Sequence, residues 1–220
     1  MNPEILDVLV DGSDIRLQSG DPGEVRVARI QYRGGGDWYN DPSALTNLIR
    51  FARERLALPL SPTYDDVPIG SRDLFQYPFA FLTGHGTIDL NEAELFNMRS
   101  WLDNGGFLYI DDDYGLDENA RDLIGSLYPE QELTEVPFDH PIYHQLFTFP
   151  DGLPKVHEHD GLPPVGYGIF HEGRLAIFYT YESNLSDGWA FDVHSTPQVI
   201  VDAALRMGTN LLIYALTSGQ

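Results

Sequence analysis

Residues Gly105 to Gly115 read GGFLYIDDDYG, a short apolar run that ends in three consecutive aspartates. The run from Phe107 to Ile110 does not alternate between apolar and polar residues, which is typical of a strand covered by helices on both faces. An isolated buried carboxylate is very costly, so the aspartates must meet water, a cation, backbone N–H groups or a cationic side chain. The stretch therefore predicts a central strand of a parallel sheet with charged groups at its carboxyl end.

A strand and a helix are also predicted at the start of the regular domain. Residues Val25 to Tyr32 are β-branched and apolar enough for a strand. In the helix that follows, Asp41 is the expected N-cap and Pro42 the expected first residue. The glycine-rich loop RGGGDWY, Arg33 to Tyr39, joins the two elements.

Two further units follow the same order. Residues Phe79 to Gly86 predict a short strand, and the helix after it is expected to start with a capping box at Asp89 and Glu92. After the run that ends in aspartates, a helix is expected from about Leu116 to Leu127. The repeated order of strand and helix indicates an α/β domain with a mainly parallel sheet.

The domain organisation is simple. Residues 1–24 predict an irregular lead-in with a short strand near Ile5 to Val10, and residues 25–220 predict a single α/β domain. A long excursion is expected at about 132–164, where proline, aspartate and histidine are frequent.

A hairpin and a final helix are expected after the excursion. Gly173 is placed to form the turn of the hairpin. The final helix is expected to be capped by Ser195 or Thr196, with Pro197 at its first position.

The charge balance excludes some partners. The chain has 13 lysines and arginines against 34 aspartates and glutamates, a net charge of −21. This charge argues against binding to a nucleic-acid backbone or an anionic membrane, and it leaves cations and neutral polar ligands open. A solvated acidic surface, as in a host rich in intracellular salt, explains most of these acids.

The residue types that are missing exclude several enzyme classes. The chain has no cysteine, so disulfides, thiolate metal sites and a cysteine nucleophile are excluded. It also has no serine in a strand–turn–helix G-x-S-x-G context, which argues against a Ser-His-Asp hydrolase. No apolar run approaches the roughly 20 residues of a membrane span, so a soluble chain is expected. Both a cytoplasmic location and export after removal of a leader stay open.

Ligands bind outside the carboxyl ends of the strands in an open parallel sheet, so the loops after the predicted strands should meet in a pocket. His85 and Asp112 are the catalytic candidates. The residues expected to contact a ligand are Arg33, Gly34, Gly35, Gly36, Asp37, Trp38, Tyr39, His85, Asp111, Asp112, Asp113, Tyr114 and His140.

A divalent cation at the same edge is an alternative. The expected ligands are Asp112, Asp113, His140 and His144. A site rich in acids and free of thiols favours hard cations such as Mg²⁺, Mn²⁺ or Ca²⁺. His157 and His159 could also face one side of an extended segment as ligands, or belong to an ordinary polar loop.

Five segments together resemble a known family: YRGGGDWYNDPSALTNLIRF, LTGHG, GGFLYIDDDYG, DHPIYHQLF and GTNLLIYALT. They are similar to the bacterial domain-of-unknown-function family 4159 over about Val25 to Thr217. That family is similar in turn to the class I glutamine amidotransferase-like fold, including the trehalose-utilisation ThuA-like proteins, which share an element like His140, Pro141 and Ile142. The resemblance implies a three-layer sandwich, flavodoxin-like or amidotransferase-like, with a C-terminal hairpin and final helix.

The resemblance also locates a site. In glutaminases of that fold the nucleophilic cysteine stands at the tight turn after a central strand, where this chain has Asp111, Asp112 and Asp113. Because the chain has no cysteine, glutamine hydrolysis through a thioester is excluded. Three functions stay open: binding of a small polar ligand such as a sugar, metal-dependent hydrolysis by Asp and His residues, and a non-catalytic partner-binding role.

Overall fold

The computed structural model describes residues 23–56 and 59–218, so the strand expected near Ile5 to Val10 lies outside the described residues. The described strands are β1 (Val25–Gln31), β2 (Leu60–Pro68), β3 (Phe79–Leu82), β4 (Phe107–Asp111), β5 (Thr134–Glu135), β6 (Val165–His171) and β7 (Arg174–Tyr181). The described α-helices are α1 (Ala44–Arg53), α2 (Glu92–Asp103), α3 (Asp117–Leu127), α4 (Leu185–Trp189) and α5 (Gln198–Thr217). Short 3₁₀ helices span Arg72–Gln76 and Pro141–Tyr143.

The seven strands form one sheet in the order β2-β1-β3-β4-β7-β6-β5. Pairing is parallel from β2 through to β7, whereas β6 and β5 add antiparallel pairs. The sheet is therefore mixed, which corrects the expectation of a mainly parallel sheet. The reason is the hairpin turn: Glu172 and Gly173 both have positive φ, 51° and 83°, and this tight turn places β7 antiparallel and directly beside β6.

Helices cover both faces of the sheet. Phe107 and Tyr109 of β4 belong to one buried cluster, which contains the apolar residues of α1, α4 and α5. Leu108 and Ile110 belong to a second cluster with the apolar residues of α2 and α3. Because neighbouring residues of β4 point to opposite faces and both are buried, its apolar run needs no alternation.

The sequence pattern did not reveal strand β2. Its sequence, LSPTYDDVP, contains two prolines and two aspartates. It pairs only with β1 among the described strands and lies at the edge of the sheet, where proline is tolerated. Asp66 of β2 accepts a hydrogen bond of 2.7 Å from Arg29 Nε, so a charged residue of this edge strand forms an ion pair with β1.

Two helix starts differ from the expected positions. Helix α1 begins at Ala44, and Asp41 does not cap it, since its backbone is left-handed with φ of 47°. The capping box of α2 is formed by Asn91 and Glu94, whose side chains each accept a hydrogen bond from the other's backbone N–H, at 3.0 and 2.9 Å. The box therefore lies two positions after the expected pair, Asp89 and Glu92.

The final helix, α5, is part of the core. Pro197 is the residue before its first turn, in place of the expected Ser195 or Thr196. Within the described ranges, α5 is the one helix long and apolar enough to cross a membrane, although Asp202 and Arg206 interrupt its apolar sequence. Because 72% of the most apolar 18-residue stretch of α5 is buried inside the protein, α5 has the character of a core helix.

Candidate functional site

The loops after β1 and β3 pack backbone against backbone. A Cβ at Gly34 would lie 2.4 Å from the carbonyl oxygen of Thr87, and one at Gly36 would lie 2.3 Å from that of His85. The N–H of Asp37 donates to the His85 carbonyl at 3.2 Å. Glycine is required at both positions for this close approach, so the glycine run holds the His85 loop in place.

His85 is held between two aspartates. Its Nδ1 lies 3.0 Å from both carboxylate oxygens of Asp37, and its Nε2 lies 3.3 Å from Asp113 Oδ1. Burial raises the pKa of Asp37, but the hydrogen bonds from His85 outweigh it and leave that pKa below its usual value. Asp37 is therefore an ionised partner that orients the His85 ring.

Asp111 is an internal anchor. Its Oδ1 accepts hydrogen bonds from Tyr109 (2.7 Å), Thr180 (2.7 Å) and the N–H of Leu185 (3.1 Å), and its Oδ2 accepts from the N–H of Ser186 (2.6 Å). The residue is fully buried, and burial raises the pKa of its carboxyl group. These bonds tie β4 to β7 and to the first turn of α4.

Asp112 does not line the pocket itself but contacts His159, which does. Its Oδ2 accepts from the N–H of Glu182 at 3.1 Å and lies 3.4 Å from His159 Nδ1. Burial lowers the pKa of His159, but the bond to Asp112 and its charge outweigh this and raise it. Asp112 is 2% exposed and lies behind His159, which lines the pocket.

Asp113 is the member of the aspartate run that lines the pocket. Its Oδ1 accepts from the N–H of Tyr114 at 2.9 Å, and its Oδ2 accepts from Asn40 Nδ2. Together with the contact to His85, these bonds fix the carboxylate at the turn after β4.

A second group of ionisable residues lines the same pocket. His194 Nε2 is 2.7 Å from Asp41 Oδ1 and 3.5 Å from Asp187 Oδ1. His157 Nδ1 is 2.7 Å from the other oxygen, Asp187 Oδ2. One ligand atom each from Asp41, Asp187 and His194 lie within 4.8 Å of one another. We call these three residues the Asp41 cluster.

The pKa values of Asp187 and His194 in this cluster are both raised. Burial raises the pKa of Asp187 to about 8; the nearby charge of His194 opposes the rise, and the negative charges of Asp41 and Asp113 add to it. Burial lowers the pKa of His194, but the bond to Asp41 and the charge of Asp187 outweigh it and raise it. Asp187 therefore retains its proton at neutral pH, chiefly because its carboxyl group is buried and secondly because the charges of Asp41 and Asp113 lie nearby.

Several of these groups line a pocket of about 650 Å³, a size that suits a small molecule. It is lined by Asn40, Asp41, His85, Asp113, Tyr114, His157, Glu158, His159, Asp187 and His194. Carboxylates and imidazoles dominate this lining, so the pocket favours cations and hydrogen-bond donors over anions.

Of the thirteen residues expected to contact a ligand, ten lie outside this lining, among them Arg33, Trp38 and Tyr39. Arg33 forms an ion pair of 2.5 Å with Glu94. The guanidinium carbon of Arg29 lies over the Trp38 ring, 5.1 Å from the ring centroid. Tyr39 is 59% exposed to solvent. The structure thus brings His85, Asp113 and Tyr114 together but not the aromatic residues of the first loop.

His140 and His144 lie away from the pocket. The His140 ring contacts that of Tyr214 at 5.4 Å, and the hydroxyl of Tyr214 accepts from the N–H of Leu175 near the start of β7. His144 Nε2 bonds to the carbonyl of Phe138 at 2.7 Å. Because β7 starts at the opposite edge of the sheet, these histidines do not meet Asp112 and Asp113 as expected for a shared cation.

The sequence analysis missed the Asp41 cluster. The sequence predicts Asp41 as a helix cap, and neither Asp187 nor His194 lies in a recognisable motif. His157 and His159 were considered as ligands, and both line the pocket. One feature of the sequence does point to Asp187: it lies in a polar segment directly after a predicted strand. The other loops that form the site also follow predicted strands.

These features define an α/β domain with an acidic, histidine-rich pocket at the carboxyl edge of its parallel strands. The model of the family described as Domain of unknown function (DUF4159) matches residues 26–216, and the chain therefore belongs to that family. No curated protein matches the chain with significant similarity.

A test of the loop packing follows from Gly36. We expect Gly36→Ala to lower the free energy of unfolding by about 1–3 kcal/mol, because the added methyl group overlaps the His85 carbonyl. Chemical denaturation would measure this change. Gly125→Ala is the matched control: a Cβ there meets nothing within 4 Å in α3, so a gain of about 0.5–1 kcal/mol is expected. Equal effects of the two substitutions would contradict the packing role of Gly36.

Proposed function

We propose that the pocket binds a small polar molecule and that the protein hydrolyses it with His85 as the general base. The observation that carries this proposal is the placement of His85 between Asp37 and Asp113 on the pocket wall. A histidine oriented by a carboxylate and facing a pocket is the arrangement that proton transfer at neutral pH requires.

The proposed reaction uses His85 to move one proton. In the tautomer that acts as base, Nδ1–H is donated to Asp37 and Nε2 carries no proton, so its 3.3 Å contact with Asp113 Oδ1 gives way to the attacking water. A water molecule at Nε2 attacks the electrophilic carbon of the substrate, and its proton passes to Nε2. The imidazolium is stabilised by the carboxylates of Asp37 and Asp113. His85 then donates this proton to the leaving group as the bond between that group and the carbon breaks.

The lining of the pocket supports a substrate class. Its carboxylates disfavour phosphate esters and other anions, and they accept hydrogen bonds from hydroxyl groups. Tyr114 is 64% exposed, and its ring lies edge to face with that of His159 at 5.7 Å. An exposed aromatic ring beside carboxylates suits a carbohydrate, so neutral sugar derivatives are the proposed substrates.

The resemblance to the amidotransferase-like fold supports the position of this site. Glutaminases of that fold carry a cysteine at the tight turn after a central strand, and Asp113 follows β4 at such a turn here. We include the assignment to a flavodoxin-like or amidotransferase-like sandwich in the proposal. Since the chain has no cysteine, water takes the place of the thiolate as nucleophile.

Turnover of nitrophenyl glycosides and nitrophenyl acetate would test this function. We expect His85→Ala to lower kcat/KM by about 10²–10⁴-fold, the usual contribution of a general base. His144→Ala is the matched control, because His144 lies outside the pocket and should leave kcat/KM unchanged. Assays with and without added Mn²⁺ would cover a cation requirement.

The results separate the three functions. Turnover that is unchanged in His85→Ala would show that His85 is not the base. If calorimetry detects sugar binding but the wild-type protein turns over no substrate, the protein is a binding domain and not a hydrolase. If the wild-type protein neither binds nor turns over any compound of the panel, the proposal for neutral sugar derivatives is wrong.

A further inference from the structure

We infer that the Asp41 cluster binds a divalent cation in the same pocket. Its three ligand atoms, two carboxylate oxygens and one imidazole nitrogen, already lie within 4.8 Å of one another. Asp41 comes from the loop after β1, Asp187 from α4 and His194 from the segment before α5. A mixed set of oxygen and nitrogen ligands suits Mn²⁺ or Zn²⁺ better than Ca²⁺ or Mg²⁺.

The charges in the cluster call for such an ion. The side chains of Asp41 and Asp187 are 7% and 5% exposed. Burying two neighbouring carboxylates is costly unless they are paired or coordinate a metal. Their described partners here are the imidazoles of His194 and His157, and a divalent cation would neutralise both carboxylates at once.

An independent observation points to the same place. The side-chain oxygen of Asn40, next to Asp41, is buried and has no hydrogen-bond partner among the described residues. The amide nitrogen of the same side chain donates to Asp113, so the orientation of the group is fixed. A buried carbonyl oxygen without a donor is rare, and here it belongs to a residue that lines the pocket. It is suited to accept a cation or a water bound to one.

The outer contacts of the cluster match those of metal sites. His157 Nδ1 holds Asp187 Oδ2 at 2.7 Å, which leaves Asp187 Oδ1 facing His194. Carboxylate ligands are usually oriented by such outer hydrogen bonds. Three protein ligands leave coordination positions for water or substrate, as in catalytic sites. This inference deepens the proposed function, and it rests on that proposal only for the role of the pocket in catalysis. Cation binding itself can be measured without any turnover of substrate.

Calorimetric titration of metal-stripped protein with MnCl₂, ZnCl₂, MgCl₂ and CaCl₂ would test the inference. We expect one Mn²⁺ or Zn²⁺ per chain, bound more tightly than Mg²⁺ or Ca²⁺. At a hundredfold excess over Kd, Tm should rise by about 5–10 °C. Asp187→Asn and His194→Gln should each weaken binding by at least about 100-fold.

His171→Gln is the matched control for this test. His171 forms a similar contact with a carboxylate, 3.1 Å from Asp103, but lies outside the pocket, so His171→Gln should bind the cation as the wild type does. Circular dichroism would verify folding, and His194→Gln decides the result if Asp187→Asn does not fold. No binding by the wild type, or wild-type affinity in both variants, would overturn the cation site. The His85 proposal would still be judged by the turnover of the nitrophenyl substrates without added Mn²⁺.

Discussion

Asp111→Ala is expected to lower the free energy of unfolding by about 3–5 kcal/mol. The substitution removes the acceptor of hydrogen bonds from Tyr109, Thr180, Leu185 and Ser186, all in a fully buried region. A buried donor without a partner costs about 1–3 kcal/mol, although water that enters the new cavity recovers part of this loss. Since domains are stable by about 5–15 kcal/mol, the variant should be near its folding limit.

Urea denaturation at neutral pH would measure this effect. Asp122→Ala is the matched control, since Asp122 is exposed on α3, and we expect a change within about 0.5 kcal/mol. Asp111→Asn should lie between the two, because the amide oxygen still accepts hydrogen bonds while its NH₂ group meets other donors. A loss below about 1 kcal/mol in Asp111→Ala would show that the carboxylate does not anchor β4 to α4.

The opening stretch shows what sequence patterns can predict. The apolar run before Asp111 identified a strand buried on both faces, and the structure confirms this for β4. If strand geometry continued through the aspartates, alternation would place Asp111 and Asp113 on one side and Asp112, the catalytic candidate, on the other. The strand ends at Asp111, however, and the N–H of Asp113 bonds to the Asp111 carbonyl at 3.1 Å in a turn. Alternation does not continue through that turn, which directs Asp113 to the pocket.

The Asp41 cluster shows what sequence patterns leave out. Asp41 and His194 are separated by 153 positions, yet their side chains are 2.7 Å apart. No local pattern encodes this contact, because it depends on how α5 and the segment before it pack across the sheet. A local rule also favoured the wrong role: aspartate before proline is a common helix start, whereas this aspartate has a left-handed backbone and turns towards His194.

In the metal-free protein, Asp187 is expected to make stability fall as pH rises. Its pKa is raised from 3.8 to about 8 in the folded state, so folding favours the protonated form. This contribution is fully present below the usual aspartate pKa and is lost as pH rises through about 8. His194, whose pKa is also raised, contributes in the same direction above its usual value of 6.5.

Denaturation of the wild type and Asp187→Asn in EDTA, from about pH 5 to about pH 9, would isolate this effect. The stability of the wild type relative to the variant should fall by roughly 3–4 kcal/mol over this range, since one pKa unit corresponds to about 1.4 kcal/mol. The amide cannot ionise, so the variant should be the more stable protein at the alkaline end. Other carboxylates titrate alike in both proteins and largely cancel. A difference that stays constant with pH would show that Asp187 is not destabilised by its burial and by the charges of Asp41 and Asp113.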